Sequence, residues 1–295
     1  MNVNSSLNYI FIVFIGFFML GQSNTLYAKK KIRKVMIDAG HGGKDPGCHG
    51  TYSYEKDITL SVGKMVGKMI QDNLKDVKVM YTRTDDHFAG GDHLSIKESL
   101  LYRTELANKE KADLYISIHV NSTPRKNSPV KGTLVLVCGP TRVDEKQEAI
   151  GFHTDNIAEN EELLSPSDPA TQIIVAQYSQ AFLTQSIVLA SKINDGFVSQ
   201  GRVAEGIRQQ SLQVLASSAM PGVLVEIGYL NNAEEENYLN SESGQQEVAS
   251  SIFNGIRFYK EEAEKETVQI IKERGNKFEL HESLKHQYAE YIQRN

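Results

Sequence analysis

The chain has 295 residues, enough for one large domain or two small ones. Apolar residues make up 40% of the sequence and charged residues 23%, which is ordinary for a globular protein. With a net charge of −5 at pH 7 the sequence lacks the overall basic character of nucleic-acid-binding proteins, so we do not expect a nucleic acid as a partner.

The first 28 residues carry no charged side chain, and an apolar run covers residues 9–20. This run is shorter than the roughly 20 residues that a membrane-spanning helix needs. It fits the core of a secretory signal, with Ala28 as a small residue before the cleavage point. We therefore predict a cleaved signal peptide over residues 1–28; an uncleaved N-terminal anchor is the alternative.

The rest of the chain alternates apolar, β-branched segments with segments of helical periodicity. This alternation predicts an α/β domain with a doubly wound, mostly parallel sheet and helices on both faces. The predicted strands are 34–39, 77–82, 113–119, 132–138 and 219–226, with a short strand plus turn within 206–215. The predicted helices are 58–73 (capped by Asp57), 98–111, 170–194, 233–239 and 245–260.

Two segments depart from this rhythm. Residues 139–170 hold eight acidic residues against two basic ones and are longer than a strand-to-helix connection requires. Loops of this length are usually functional or disordered. From about residue 262 the chain becomes highly charged, with apolar residues at four-residue spacing that predict a terminal helix. We therefore assign 32–260 to one domain and 261–295 to a charged C-terminal helical tail.

The two cysteines, Cys48 and Cys138, lie 90 residues apart and lack the spacing of a cysteine metal site. Separate thiols are the simpler interpretation for a domain of this size, and a disulfide is the alternative.

Chemistry is predicted at the carboxyl ends of three strands, which end on His41, His119 and Glu226. In a parallel sheet these ends lie along one edge, so the three side chains can converge. Glu55 follows His41 in the next loop. Two imidazoles and a carboxylate, with a water in the fourth position, form the ligand set of a catalytic zinc site in hydrolases.

Two glutamates are then available for two tasks. Glu55 lies on a loop close to His41, so it is the expected third ligand. Glu226 lies on a rigid strand, so it is the expected general acid/base that takes the proton of the metal-bound water.

Four stretches, taken in order, resemble the zinc-dependent N-acetylmuramoyl-L-alanine amidases of the type-3 family. They are 38–47 (DAGHGGKDPG), 55–57 (EKD), 117–121 (SIHVN) and 220–232 (MPGVLVEIGYLNN), supported by 82–85 and 103–108 between the histidines. The similarity extends over about residues 32–260.

The resemblance implies Zn²⁺ on His41, Glu55 and His119, with Glu226 as the catalytic residue. The substrate would be peptidoglycan, cut between the lactyl group of N-acetylmuramic acid and L-alanine during wall remodelling and daughter-cell separation. Such an enzyme would be exported to the periplasm or the cell-wall compartment. Asn121 is a candidate substrate contact beside the site; Arg208 is a candidate contact to an anionic substrate, and a surface role is the alternative.

The resemblance also bears on the acidic insert. Division-linked members of the family carry an insert near this position that covers the site, with an acidic side chain reaching the metal. Glu159, Glu161 and Glu162 are the candidates here, and an activator protein would relieve the autoinhibition; a solvated acidic segment is the alternative. Two other functions remain open from the residues alone, a zinc exopeptidase acting on free peptides and a catalytically idle wall-binding protein.

Overall fold

The computed structural model describes residues 31–152 and 169–265. Its six strands form a single sheet in the order β2-β1-β3-β6-β4-β5. Four of the five neighbouring pairs are parallel, and only β4 against β6 is antiparallel. The strands are β1 Lys34–Ala39, β2 Lys78–Tyr81, β3 Leu114–Asn121, β4 Thr133–Cys138, β5 Ala204–Gln210 and β6 Gly222–Tyr229.

Helices connect these strands and cover the sheet. A short 3₁₀ turn, Pro140–Arg142, precedes α3. The helices are α1 Glu55–Asn73, α2 Ile96–Lys109, α3 Val143–Phe152, α4 Pro169–Ser199, α5 Gln213–Ala216, α6 Ala233–Asn240 and α7, which covers 242–265.

Alternate residues of each strand point to opposite faces, and both faces are buried. On the first face, strand residues such as Ile116 and Val225 pack against α1, α4 and α7. On the second face, Met36, Tyr115 and Leu224 pack against α2 and α5. The predicted doubly wound sheet with helices on both faces is therefore confirmed.

The second face is the one that carries the polar residues of interest, as the strand periodicity shows. Asp38 lies two residues beyond Met36, His119 four beyond Tyr115, and Glu226 two beyond Leu224. Each is therefore on the same face as its apolar predecessor, near the carboxyl ends of β1, β3 and β6.

Several element boundaries differ from the predictions. Helix α1 begins at Glu55, and its N-cap is Tyr54, so the prediction that Asp57 caps this helix is wrong. Strands β3 and β6 continue to Asn121 and Tyr229, so His119 and Glu226 lie within their strands instead of ending them. The prediction that Glu55 lies on a loop is also wrong, because Glu55 is the first residue of α1, where a carboxylate suits the positive end of the helix dipole.

Within the described residues, 171–199 of α4 are long and apolar enough to cross a membrane by length and composition alone. Of the most apolar stretch of this helix 28% is buried, and Leu189, Ile193 and Phe197 are fully buried contacts of the helix with the core of the domain. The predicted signal peptide, the glutamates 159, 161 and 162, and most of the C-terminal tail lie outside the described residues.

Candidate metal and catalytic site

The site is built on a turn after β1, where His41 has a left-handed backbone with a φ of 60°. Non-glycine residues rarely adopt this conformation, so surrounding contacts must hold it. Arg83 donates to the carbonyls of Ala39 (3.0 Å) and Gly40 (2.9 Å). Arg103 donates to the carbonyls of Ala39 (2.8 Å) and His41. Two buried guanidinium groups thus fix the backbone that carries His41.

Arg103 is itself fixed by Asp38, which is completely buried on the second face. The Asp38 carboxylate accepts hydrogen bonds from Arg103 (2.6 Å), Thr82 (2.6 Å) and Ser117 (2.7 Å). Burial by itself raises the pKa of Asp38, but the charge of Arg103 and these hydrogen bonds outweigh it and hold the pKa well below its usual range. The turn therefore rests on an ionised, fully paired buried carboxylate.

Three side chains of types that can bind a metal converge above this turn. One ligand atom each from His41, Glu55 and His119 lies within 4.8 Å of the others. Glu55 Oε1 is 3.1 Å from His41 Nε2 and 2.9 Å from His119 Nδ1. The two imidazole rings meet edge to face, with centroids 4.9 Å apart. All three predicted metal ligands are thus brought together, and this donor set suits a zinc ion.

Two of these three candidate ligands, His41 and Glu55, are oriented by further groups. Asp45 Oδ2 lies 2.8 Å from His41 Nδ1, which leaves Nε2 free for a metal. Glu55 accepts from the backbone N–H groups of Cys48 (2.8 Å) and Val120 (2.9 Å). Burial raises the pKa of Glu55, but its hydrogen bonds with His119 and His41 outweigh this and lower the pKa well below its usual range. Glu55 is therefore ionised, as a ligand must be.

Two glycines allow the ligands to approach the backbone. A Cβ at Gly47 would lie 2.5 Å from Glu55 Oε2 and 2.7 Å from His41 Cδ2, and Gly47 has a φ of 69°. A Cβ at Gly40 would lie 2.5 Å from the His119 ring. Any side chain at either position would displace a ligand.

Glu226 lies directly beside this set, paired in register with His119 across β3 and β6. Among the described residues its Oε2 atom is buried without a hydrogen-bond partner. Burial is the main cause that raises the pKa of Glu226 to about 7, and the negative charge of Glu55 contributes. A buried carboxylate with a free oxygen and a pKa near neutrality is suited to exchange a proton with a reacting group.

A cleft of about 220 Å³ opens onto the two histidines between the sheet, α2 and α5. Its walls are largely apolar. A substrate that enters the cleft would therefore reach the site beside a surface that excludes water. The lining residues besides the site are Phe88, Ile96, Ser99, Leu100, Leu212, Gln213, Val214 and Leu224.

The two candidate substrate contacts lie on different strands, Asn121 on β3 and Arg208 on β5. Asn121 ends β3, two residues after His119, and its Oδ1 accepts from the Ser122 N–H at 2.8 Å. Arg208 pairs in register with Leu136 of β4, which places it on the second face two strands away from Glu226. Arg208 forms an exposed ion pair with Glu205 at 2.9 Å.

Both cysteines are free thiols in the structure, as the simpler interpretation expects. Cys48 nevertheless lies at the site, because its N–H binds Glu55 and its Sγ is 3.2 Å from the Val120 carbonyl. Burial raises the pKa of this thiol far above its usual value, so it is protonated and a poor metal ligand.

Sequence reasoning assigned no role to Asp38, Asp45, Arg83 or Arg103, although all four belong to stretches that carry the family resemblance. Their charge was a signal that the sequence offered. Burying a charged side chain without a partner costs much free energy, so four charged residues next to apolar strands and small residues indicate buried partners. Their partners are distant in sequence, and only the fold shows them.

Comparison with known proteins agrees with this geometry. The family model described as N-acetylmuramoyl-L-alanine amidase matches residues 35–257. This span holds the three candidate ligands and Glu226 and covers more than half of the chain.

The chain belongs to this family.

Individual relatives support the assignment. The probable N-acetylmuramoyl-L-alanine amidase AmiB of Haemophilus influenzae is 31% identical over 238 residues, which are 75% of this chain and 51% of AmiB. The uncharacterized protein YqiI of Bacillus subtilis is 32% identical over 230 residues, 77% of this chain and 84% of YqiI. The chain therefore spans about half the length of AmiB.

Among solved structures, the catalytic domain of the amidase CwlV from Paenibacillus polymyxa var. colistinus is similar. It superposes with a TM-score of 0.54 at 30% identity and covers 77% of this chain and 97% of CwlV. The predicted enzyme class, an N-acetylmuramoyl-L-alanine amidase whose family acts on peptidoglycan, is thereby confirmed at the level of the family.

Proposed function

We propose that this protein is a zinc-dependent N-acetylmuramoyl-L-alanine amidase. It hydrolyses the amide between the lactyl group of N-acetylmuramic acid and L-alanine in peptidoglycan. The observation that carries the proposal is the convergence of His41, Glu55 and His119 within 4.8 Å beside the unpartnered Glu226 oxygen.

The three ligands supply two neutral nitrogen donors and one negative charge. A bound zinc ion would polarise the scissile carbonyl and lower the pKa of a coordinated water toward ~7. Asp45 keeps His41 in the tautomer that presents Nε2, and the N–H groups of Cys48 and Val120 hold the Glu55 carboxylate in place.

Glu226 performs the proton transfers in this proposal. Its free Oε2 atom takes a proton from the attacking water and delivers it to the nitrogen of the leaving L-alanine. The pKa of Glu226, raised to about 7 by burial, suits a group that must accept and then release a proton near neutral pH. The surrounding apolar residues of the second face keep competing water away.

Asn121 and Arg208 are the proposed substrate contacts. Asn121 is the last residue of β3, two residues after His119, and its place at that end of the strand supports this proposal. Arg208 forms a hydrogen bond with Glu205 (2.9 Å), which also accepts a hydrogen bond from Tyr229 (2.5 Å). Arg208 is the more remote of the two.

We further propose that the protein is exported, with residues 1–28 as the signal peptide and the 32–260 domain acting in the periplasm or cell-wall compartment. Peptidoglycan is the partner there, and daughter-cell separation is the proposed process. Cells that lack the protein should then grow as unseparated chains under the microscope.

The insert within 139–170 is the proposed regulatory segment. An acidic residue among 159, 161 and 162 would occupy the metal site until an activator protein removes it. The acidic composition of the segment and its place in the chain support this proposal.

Two isosteric variants test the role assignment. For Glu226→Gln we expect turnover of purified muropeptides to fall roughly 100- to 10,000-fold while zinc content stays at one ion per chain. For Glu55→Gln we expect zinc to be lost together with activity. Equal zinc loss in both variants would make Glu226 a ligand and contradict the assignment. Turnover of free peptides instead of muropeptides would indicate an exopeptidase.

A further inference from the structure

The loop that joins β3 to β4 carries a basic surface at the edge of the site. It covers residues 122–132, starts three residues after His119, and contains Arg125, Lys126 and Lys131 without any acidic residue. Because β4 runs antiparallel to β6, the whole loop lies at the edge where β3 and β6 end. It therefore lies at the same edge of the sheet as the candidate ligands and Glu226.

The three cations of this loop differ in their pairing. Lys131 forms an ion pair with Glu234 at 3.1 Å. Arg125 and Lys126 are exposed, and no acidic side chain in the part of the chain that the structure describes forms an ion pair with either of them. Two positive charges are thus available to a ligand.

The loop is held in place by one side chain from the turn after β6. Asn231 Nδ2 donates to the carbonyls of Thr123 (3.0 Å) and Arg125 (2.6 Å) and to the Thr123 hydroxyl (2.9 Å). Its Oδ1 accepts from the Thr123 N–H (3.2 Å), and its backbone carbonyl accepts from the Ser128 N–H (3.0 Å). The backbone beneath Arg125 and Lys126 is therefore ordered before any ligand binds, which lowers the entropy cost of binding.

We propose that Arg125 and Lys126 bind a free carboxylate of the stem peptide. This inference rests on the proposed function. In the amide that the enzyme would cleave, the carboxyl group of the muramoyl unit is consumed in the bond, so the substrate's anionic groups lie on the peptide beyond L-alanine. Two unpaired cations beside the metal site complement those groups. The leaving peptide then lies over the 122–127 segment, and the glycan strand extends away from it.

A matched substrate pair measures this contact. The pair is N-acetylmuramoyl-L-alanyl-D-glutamate and its diamide, in which both carboxylates are carboxamides. We expect the wild-type enzyme to prefer the acid in kcat/KM, mainly through KM. The double variant Arg125→Ala/Lys126→Ala should lower the acid-to-diamide ratio about threefold to tenfold, as expected for exposed charges. Raising the salt concentration should weaken the wild-type preference in the same direction.

Lys131→Ala is the matched control, because it removes one charge from the same loop that is already paired with Glu234. We expect its ratio to equal that of the wild type. Asn231→Ala tests the ordering of the loop and should lower the ratio, through KM, at unchanged zinc content.

An unchanged acid-to-diamide ratio in the double variant would overturn the inference. An equal change of this ratio in Lys131→Ala would also overturn it, because the effect would then come from the total positive charge of the loop. The inference would equally be overturned if the double variant lost binding to a phosphate-containing wall polymer while its acid-to-diamide ratio stayed unchanged. The basic surface would then be assigned to that polymer. Failure of the wild-type enzyme to cleave either substrate would instead contradict the proposed function.

Discussion

At the scale of single residues, the site depends on contacts that leave no room for other side chains. His41 occupies a strained left-handed backbone, and Gly47 lies against both His41 and Glu55. Such strain persists only where surrounding contacts hold it. The same contacts make the site sensitive to changes that do not touch a ligand directly.

Gly47→Ala should abolish zinc binding. The new Cβ would lie 2.5 Å from Glu55 Oε2, a distance that real Cβ atoms do not tolerate, so the carboxylate must move. Zinc content measured on the purified variant checks this. Gly201→Ala is the control, because Gly201 has a similar φ of 74° and no atom within 4 Å of the added Cβ. A variant of Gly47 that retains full zinc would show that the turn is more adaptable than the contacts indicate.

The pH dependence of activity should have an acid limb governed by Glu226. As a general base this carboxyl must be ionised, so activity is present above its pKa and is lost as the pH falls through it. Burial raises this pKa to about 7, and the positive charge of a bound metal opposes the shift. We therefore expect the limb in kcat/KM at or somewhat below pH 7.

Metal loss at low pH could produce a similar limb, because the ligands His41 and His119 cannot bind when protonated. Zinc content across the same pH range separates the two effects. If zinc and activity disappear together while the Glu226→Gln variant keeps the limb in its residual activity, the limb belongs to the ligands.

At the scale of elements, helix α3 is tied to the segment that leads into β6. Lys146 of α3 is fully buried and donates to the carbonyls of Leu215 (3.1 Å) and Met220 (2.8 Å) and to the Ser218 hydroxyl (2.9 Å). Burial lowers the pKa of Lys146 to about 8. The beginning of the 139–170 segment is therefore part of the packed domain, next to the strand that carries Glu226.

Lys146→Met should destabilise the protein by about 3 kcal/mol, because it removes hydrogen bonds to three buried acceptors, of which the Leu215 carbonyl keeps a second donor, the Ser218 hydroxyl (3.1 Å). For a domain of this size, this corresponds to a fall in Tm of roughly 5–10 °C. Lys64→Met is the control: Lys64 is an exposed helical lysine, and its replacement should change stability by less than about 0.5 kcal/mol. Thermal unfolding followed by circular dichroism measures both. Equal melting temperatures would show that water replaces the lost donor.

The two faces of the sheet explain why the site residues share one edge. On every central strand, successive apolar residues point to opposite faces of the sheet. Beyond the apolar layer of the second face, the next positions on that face hold the polar residues of the site. The site thus begins where α2 and α5 stop covering the second face.

At the scale of the whole molecule, the insert can be tested without disturbing the domain. Because Lys146 and Ile150 are buried, a deletion should spare α3 and α4 and remove only 153–168. If the segment is autoinhibitory, we expect this deletion to increase dye release from labelled peptidoglycan several-fold without an activator. A deletion of equal length within 266–295 is the control. No gain in activity would contradict autoinhibition.

The sequence alone determined the fold class and most of the strands, and it proposed the four residues that the fold brings together at the candidate site. It could do so because periodicity identifies strands, and because the carboxyl ends of parallel strands share one edge, so His41, His119 and Glu226 could be related despite their distance along the chain. The family resemblance strengthened the split of roles between Glu55 and Glu226.

Only the tertiary structure decided how that site is held and how it is charged. The Asp38–Arg103 pair, the hydrogen bond from Arg83 to the Ala39 carbonyl and the anchoring of the basic loop by Asn231 join residues 44 to 108 positions apart. Sequence spacing carries no information on such pairs. The pKa of Glu226 is likewise a property of its burial, because the same glutamate in water would be fully ionised at neutral pH and poorly suited to carry a proton.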